Sequence, residues 1–340
     1  MHWRFAGFLV LLCATLLIAA TSAQAVSIEM VTVGDPGNAS DTEFLTPGAV
    51  GYAYQLGKYE VTTSQYAAFL NAVAADDTYG LYNANMYSNS YGCKIERLGS
   101  AGGYTYQVAA DRADRPVNYV SWGDAARFIN WLHNGQPTGA QTLSTTEDGA
   151  YYLNGANDTT ALMLVTRKTD AKFWIPTQDE WYKGAYYDPQ KEGGAGYWDY
   201  ATRKDAPDVP SNILTDPDSG NNANYRYSGD GSYTVGSPYW TTPVGSFEYS
   251  VSAYGTFDQN GNLSEWLETG SSSVRFIRSG SFINNESFMH ANYTSGNYNP
   301  TTENFIVGIR VAGVVPEPGT FAMLAGAAAA AWLFLRRRKK

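Results

Sequence analysis

Tyr254-Gly255-Thr256-Phe257-Asp258-Gln259-Asn260-Gly261-Asn262-Leu263-Ser264-Glu265-Trp266 is the densest run of chemistry in this 340-residue chain. Asp258 and Glu265 set two carboxylates seven positions apart, and Asn260-Gly261 between them favours a turn that folds the chain back and points carbonyls inward. A hard cation such as calcium takes roughly six to eight oxygens from carboxylates and carbonyls. A loop with two carboxylates and a glycine supplies several of them. Asp-x-x-Gly is also an ordinary turn, so the spacing alone leaves both readings open.

Outward from that stretch, regular structure is sparse. Thr62 and Gln65 form the two halves of a capping box, followed by Tyr66, Phe69, Leu70 and Val73 at the spacing of a buried helical stripe. A second helix is expected from Ser121, with Asp124 in its first turn favoured by the dipole; it buries Ala125, Phe128, Ile129 and Leu132 and stops at Asn134-Gly135. Thr177 caps a third with Glu180 answering, up to Asp188-Pro189; this complete capping role argues against Glu180 as a catalytic acid. Short strands are expected at Gln55 to Val61, Phe173 to Ile175, Val274 to Arg278 and Asn304 to Val311. Between them, Asp76 to Asn118, Gly135 to Asp170 and Asp188 to Ser246 are rich in Gly, Asn, Ser, Thr and Tyr. Disorder is argued against by 26 tyrosines and 9 tryptophans spread along the chain, because disordered segments lack aromatics. The expectation is an α+β domain of few helices and short strands, held by aromatic packing, with Tyr hydroxyls and Asn side chains satisfying loop backbone.

Six motifs fall in one order: Tyr59-Glu60-Val61-Thr62; Val117 to Trp122 with Asp124-Ala125; Ile175-Pro176-Thr177 with Glu180-Trp181; Gly261-Asn262 with Glu265-Trp266; Arg278-Ser279-Gly280-Ser281-Phe282; and Gly308-Ile309-Arg310. That order resembles the formylglycine-generating enzyme, or sulfatase-modifying factor, family, over roughly Ile28 to Ala312. The resemblance implies the family's variant of the C-type lectin fold. It also implies one calcium at Asp258, the carbonyls of Gly261 and Leu263, and Glu265. A second family calcium site would fall near Asn224 and Tyr225, but the matching later position, near Pro238, holds no acid.

Active members of the family use two cysteines that bind copper as thiolates; the matching positions here are Asn284 and Met289. An amide and a thioether do not reproduce the soft, charged pair that copper(I) needs, so copper is not expected. The resemblance then implies a non-catalytic, calcium-stabilised domain that serves ligand binding or scaffolding in the extracellular polysaccharide matrix, meeting polysaccharide or envelope protein through the face where the enzymes keep their cysteines. That face would carry Asn284, Asn285, Glu286, His290, Asn292 and Tyr293, with Asn297 and Tyr298 beside them; these side chains also suit a merely solvated loop. The alternative reading is an enzyme, either a formylglycine-generating member or one acting on polysaccharide through paired carboxylates. The histidines His133 and His290 show no pairing with Ser or Asp that suggests a triad, and no glycine-rich stretch is followed by Lys-Ser or Lys-Thr.

Both ends read as processing signals. Arg4, the apolar Phe5 to Ala20 and Ala23-Gln24-Ala25 compose a signal peptide over residues 1–25. At the other end, Val315-Pro316-Glu317-Pro318-Gly319 precedes an apolar run from Phe321 to Leu335 and the cluster Arg336 to Lys340. The run falls just short of the roughly 17 to 25 residues of a spanning helix and spans if the arginines snorkel, and the cations would hold its end in the cytoplasm. This tail resembles the PEP-CTERM sorting signal, which implies signal peptidase and exosortase as processing partners, anchoring through the helix, and then a cell-surface or extracellular fate. The domain proper spans 26–313 and the sorting signal 314–340. Removing Arg4, the five terminal cations and Glu317 leaves 17 basic and 31 acidic residues, a net −14, which repels phosphate backbones and makes nucleic acid an unsuitable partner. Cys13 leaves with the signal peptide, so Cys93 is either a buried small hydrophobe or a thiol open to intermolecular oxidation.

Overall fold

The first and last strands of the domain meet in one sheet, which fixes where the long irregular segments between them must lie. The computed structural model describes residues 25–43, 47–293 and 296–316; the expected signal peptide and most of the sorting tail lie outside these. In chain order the strands and helices are β1 (Met30–Val33), β2 (Tyr54–Gly57), α1 (Thr63–Val73), α2 (Asn85–Ser88), β3 (Ile95–Leu98), β4 (Thr105–Val108), α3 (Trp122–His133), α4 (Thr159–Leu164), β5 (Phe173–Trp174), α5 (Gln178–Tyr186), β6 (Tyr187–Asp188), β7 (Gly196–Tyr197), β8 (Ser264–Ser271), β9 (Val274–Arg278), β10 (Gly296–Tyr298), β11 (Val307–Gly308) and β12 (Ala312–Gly313). Two four-stranded sheets run β1-β2-β12-β5 and β10-β9-β8-β11, and β3-β4 and β6-β7 are hairpins. The fold is α+β.

Helices begin where side chains can satisfy their free N–H groups. Thr62, Ser121 and Thr177 each close a full capping box. In the second of these, Asp124 does more than favour the dipole: its Oδ2 accepts from the Ser121 N–H at 2.9 Å and the Ser121 hydroxyl at 2.6 Å. α3 is buried on every side from Trp122 to Leu132, so a single apolar stripe understates its packing. Phe69, Phe128 and Trp131 pack ring on ring between α1 and α3, with centroids 5.3 to 5.9 Å apart.

The strands are shorter than sequence alternation suggests. Gln55 to Val61 yields a strand only to Gly57, because Val61 N–H turns away to donate to the Ile309 carbonyl. Asn304 to Val311 shrinks to β11, which pairs parallel with β8 through Val307↔Ser264 and Gly308↔Glu265. β8 itself, starting at Ser264 in the quoted motif, was not anticipated as a strand; it pairs with β9 across a register shift between Trp266 and Gly270. α5 ends at Tyr186, before the expected Asp188-Pro189 stop, as β6 begins immediately.

Amide and phenol groups hold the loops. Asn130 donates to the carbonyls of Thr146 and Tyr151 and accepts from Tyr151 N–H. Asn118 does the same for Tyr91, Phe305 and Cys93. Tyr66, Tyr106 and Tyr225 hydroxyls reach the carbonyls of Leu81, Ala74 and Pro210. Buried polar backbone is thereby paired without regular structure. Cys93 is buried, and burial pushes its thiol up.

Candidate functional site

Around β8 and the loop before it, three carboxylates and one guanidinium come together, two of the four from distant parts of the chain. Glu265 and Arg310 are both fully buried and pair through two hydrogen bonds, Arg310 Nε to Oε2 at 2.8 Å and NH2 to Oε1 at 2.7 Å. Trp181 Nε1 donates to Oε2 at 2.6 Å, while Arg310 also reaches the carbonyls of Gly57 and Phe257. Glu60, a residue that sequence reading placed only as part of a motif, completes the cluster: its carboxylate accepts from Asn262 Nδ2 at 2.7 Å and Leu263 N–H at 3.0 Å. Asp258 sits in the left-handed region at φ 61° and accepts from Gly245 N–H at 2.7 Å through Oδ2.

One guanidinium among three carboxylates leaves the cluster short of positive charge. Burial first, then repulsion from Asp258 and Glu265, raises Glu60 well above the usual carboxylate range. Asp258 is pushed up to about 6 by burial, against the pull of Gly245 N–H and Arg310. On Arg310 burial pulls the guanidinium down, but the carboxylates of Glu265, Glu60 and Asp258 together hold it above its ordinary value.

These groups fit a hard cation in part. Asp258 Oδ1 has no partner among the described residues, and Asp258 lines a cavity of about 10 Å³ with Thr256, Gln259, Asn260, Asn222 and Ser250, room for one water-sized occupant. Both oxygens of Glu265 are taken by Arg310 and Trp181, and the Gly261 carbonyl accepts from Ser279 Oγ at 3.0 Å; Leu263 enters the cluster through its N–H to Glu60. Among the described residues, no three His, Cys, Asp or Glu side chains form a group able to hold a metal, so a cation here would rely on amide, hydroxyl and carbonyl oxygens around Asp258. Near the second family position, Asn224 Oδ1 is buried without a partner, and the Pro238 carbonyl accepts from Arg112 at 2.8 Å.

The residues expected to form a recognition face divide among separate places. Asn284 and Tyr293 line a cavity of about 190 Å³ together with Phe288, Asn297, Tyr298 and Ile306. Asn284 Oδ1 accepts from Ser281 Oγ at 2.6 Å, and Tyr293 packs on Phe288 with centroids 4.6 Å apart. Glu286 faces away, toward a wider groove of about 650 Å³ lined by Pro207 to Ile213, Asn221, Tyr225 and Tyr227, and accepts from Ser228. Asn285 caps the short turn Glu286–Phe288. His290 packs edge-on to Tyr200 and stands 3.7 Å from Asp199. Asn292 is exposed.

Residues 30–314 match the sulfatase-modifying factor enzyme 1-like domain. The chain belongs to that family. Residues 314–339 match the PEP-CTERM protein-sorting motif, which implies export, processing by an exosortase and anchoring at the C-terminus. Similar solved structures include CarF, 21% identical over 85% of this chain and 99% of that one with a TM-score of 0.49. Treponema denticola variable protein 1 is 18% identical over 86% and 98%, TM-score 0.48. PvdO from Pseudomonas aeruginosa is 17% identical over 85% and 92%, TM-score 0.43. No curated protein matches the chain.

Within this sulfatase-modifying factor-like domain, the two positions expected from the resemblance to match the enzymes' cysteines are far apart in character. Asn284 opens on the 190 Å³ cavity. Met289 is fully buried in a cluster with Tyr200, Ala223 and Tyr225, and its carbonyl accepts from Tyr186. Glu180, set aside in the sequence as a cap, accepts from Thr177 N–H, Trp174 Nε1, Tyr52 and Arg167. Among the described residues no helix is long and apolar enough to cross a membrane; the apolar run of the tail lies outside them.

Proposed function

We propose that this chain is an exported, non-catalytic sulfatase-modifying factor-like domain that recognises a sugar unit of the extracellular polysaccharide matrix in the cavity beside Asn284, with calcium at Asp258 stabilising the loop below. The observation that carries this reading is the pairing of an open Asn284 with a buried Met289. A copper site needs two thiolates facing one another. Here one position is an amide lining a cavity and the other is core.

The cavity's chemistry suits a sugar. Its volume of about 190 Å³ is that of one small ring, and Phe288, Tyr293 and Tyr298 offer aromatic faces while Asn284 and Asn297 offer amides. Aromatic rings supply apolar area at low entropic cost, and amides adapt their hydrogen bonds to hydroxyls. Asp258 would give calcium its carboxylate, with oxygens of Asn260, Gln259 and Thr256 close by. Calcium's part would be electrostatic, relieving the excess of negative charge around Arg310.

Extracellular polysaccharide from the native host, titrated into the full-length protein, tests the reading. Binding should weaken at least about tenfold in Asn284→Ala and in Asn297→Ala, corresponding to about 1.4 kcal/mol, with the folded state retained in both. Equal retention of polysaccharide by the folded variants would contradict it.

A further inference from the structure

A second polar cavity, of about 120 Å³, lies at the start of α3 and owes nothing to the calcium loop or to Asn284. It is lined by Tyr79, Ser121, Asp124, Arg127, Thr301 and Glu303, among others. Three charged side chains present polar atoms there without a protein partner among the described residues. Asp124, 4% exposed, uses Oδ2 for the Ser121 cap and leaves Oδ1 unbonded. Glu303 accepts from Asn83 Nδ2 through Oε2 at 2.6 Å and leaves Oε1 unbonded. Arg127, 2% exposed, gives Nε and NH2 to Glu147 and NH2 again to the Ala156 carbonyl, and its NH1 is unbonded. That NH1 stands 3.5 Å from where a Cβ on Gly123 would lie, at the cavity wall.

The charge balance identifies the missing partner. Glu147 neutralises Arg127, and the nearby Asp77 is engaged by Arg97 at 3.3 Å. Asp124 and Glu303 have no basic residue within ion-pair reach among the described residues. Burial first, then Asp124, pushes Glu303 up to about 8. Asp124 itself is pushed up to about 6 by burial, opposed by its bonds from Ser121 and by the field of Arg127, which lies beyond ion-pair reach. Two carboxylates without a counter-ion ask for a cation with several donors, and one outward N–H of Arg127 asks for an acceptor beside it. A vicinal amino alcohol carries both on adjacent carbons.

We propose that this cavity, open to solvent and smaller than a whole sugar ring, binds a primary ammonium with a neighbouring hydroxyl, such as the amino-alcohol edge of a 2-amino sugar. The ammonium donates to Asp124 Oδ1 and Glu303 Oε1, and the hydroxyl accepts from Arg127 NH1. Thr301 lies three residues beyond Tyr298, so one segment of chain joins this cavity to the one beside Asn284. The inference nonetheless stands without that first site.

Calorimetric titration of the full-length protein with ethanolamine and glucosamine, each against its neutral counterpart ethylene glycol or glucose, tests it. Both amino compounds should bind saturably, with the neutral pair at least about tenfold weaker; for ethanolamine, whose more basic amine stays protonated through the window, binding should strengthen as pH rises toward the value where Glu303 ionises, with protons released on binding. Glu303→Gln should remove most of the binding and the proton release. Gly123→Ala, which narrows the wall without touching a carboxylate, should weaken binding with the fold retained, and it keeps the test open if the first variant misfolds. Equal binding of the neutral compounds, or affinity unchanged in folded Glu303→Gln, overturns the proposal. So does no amino-alcohol binding by folded protein, or calcium alone occupying the site.

Discussion

The cluster around Arg310 and the segment from Ser281 to Tyr293 draw on similar polar residues, yet one is closed and the other open. In the cluster, both oxygens of Glu265 and both of Glu60 are bonded, and Arg310 spends three nitrogens on four acceptors. In the segment, Asn284 and Tyr293 turn part of their surface to a cavity. The difference teaches that a motif rich in charge can be structural while a plainer stretch lines an open cavity. What separates them is whether partners are supplied from within the chain.

That contrast breaks first where a partner is removed from the closed region. Arg310→Ala strands Glu265 in the interior, and losing one member of a buried ion pair costs about 3 to 5 kcal/mol. Urea unfolding should show a loss of that size or no folded protein; a loss near zero would mean that the cluster is not closed. The calcium reading is sharper on Asp258 than on Glu265, because Glu265→Gln would also disturb Arg310. Calcium about a hundredfold above its dissociation constant stabilises by about 2.7 kcal/mol. Chelation should therefore lower the melting temperature of the wild type and leave Asp258→Asn unmoved.

The capping boxes at Thr62 and Thr177, the buried stripe of α1 and β9 at Val274 to Arg278 were legible because local chemistry decides them. β8 was not, since its first residues take their extended form from Ile306 and β11, far off in sequence, and the register shift between Trp266 and Gly270 interrupts the alternation that would mark its hairpin with β9. Asp258 and Glu265 were legible as neighbours in space, but the Arg310 fork that engages Glu265 comes from 45 residues away. Glu60, more than 200 positions from Asn262, gave no signal as a member of the site. The pocket at α3 was hidden for the same reason: Asp124 reads as a cap, and only folding brings Glu303 to it.

A smaller effect separates that pocket from both regions. Glu303 is held at about 8 when folded, above the ordinary Glu value near 4.3, so the native state binds more protons than the unfolded chain across that window. Its contribution is fully present below the lower value and is lost as pH rises through the upper one. Melting temperature should fall with pH across the window, and Glu303→Gln should flatten the slope; Asp124, Asp77, Arg97, Arg127 and Glu147 remain as the other charges there. The smallest effect is on the open region, where Asn284→Ala removes one part-buried hydrogen bond from Ser281 and should cost about 0.5 to 1.5 kcal/mol.

The central claim is that the face matching the enzymes' copper site recognises without reacting. Full-length protein supplied with copper(I), oxygen and a cysteine peptide of the sulfatase type gives the most direct test, with the peptide's mass followed over time. The account predicts that the peptide's cysteine is not converted to an aldehyde by the protein, because Asn284 and Met289 furnish no thiolate pair and Cys93 is buried with its thiol pushed up. Formylglycine appearing with turnover, and vanishing in Cys93→Ser, would contradict it.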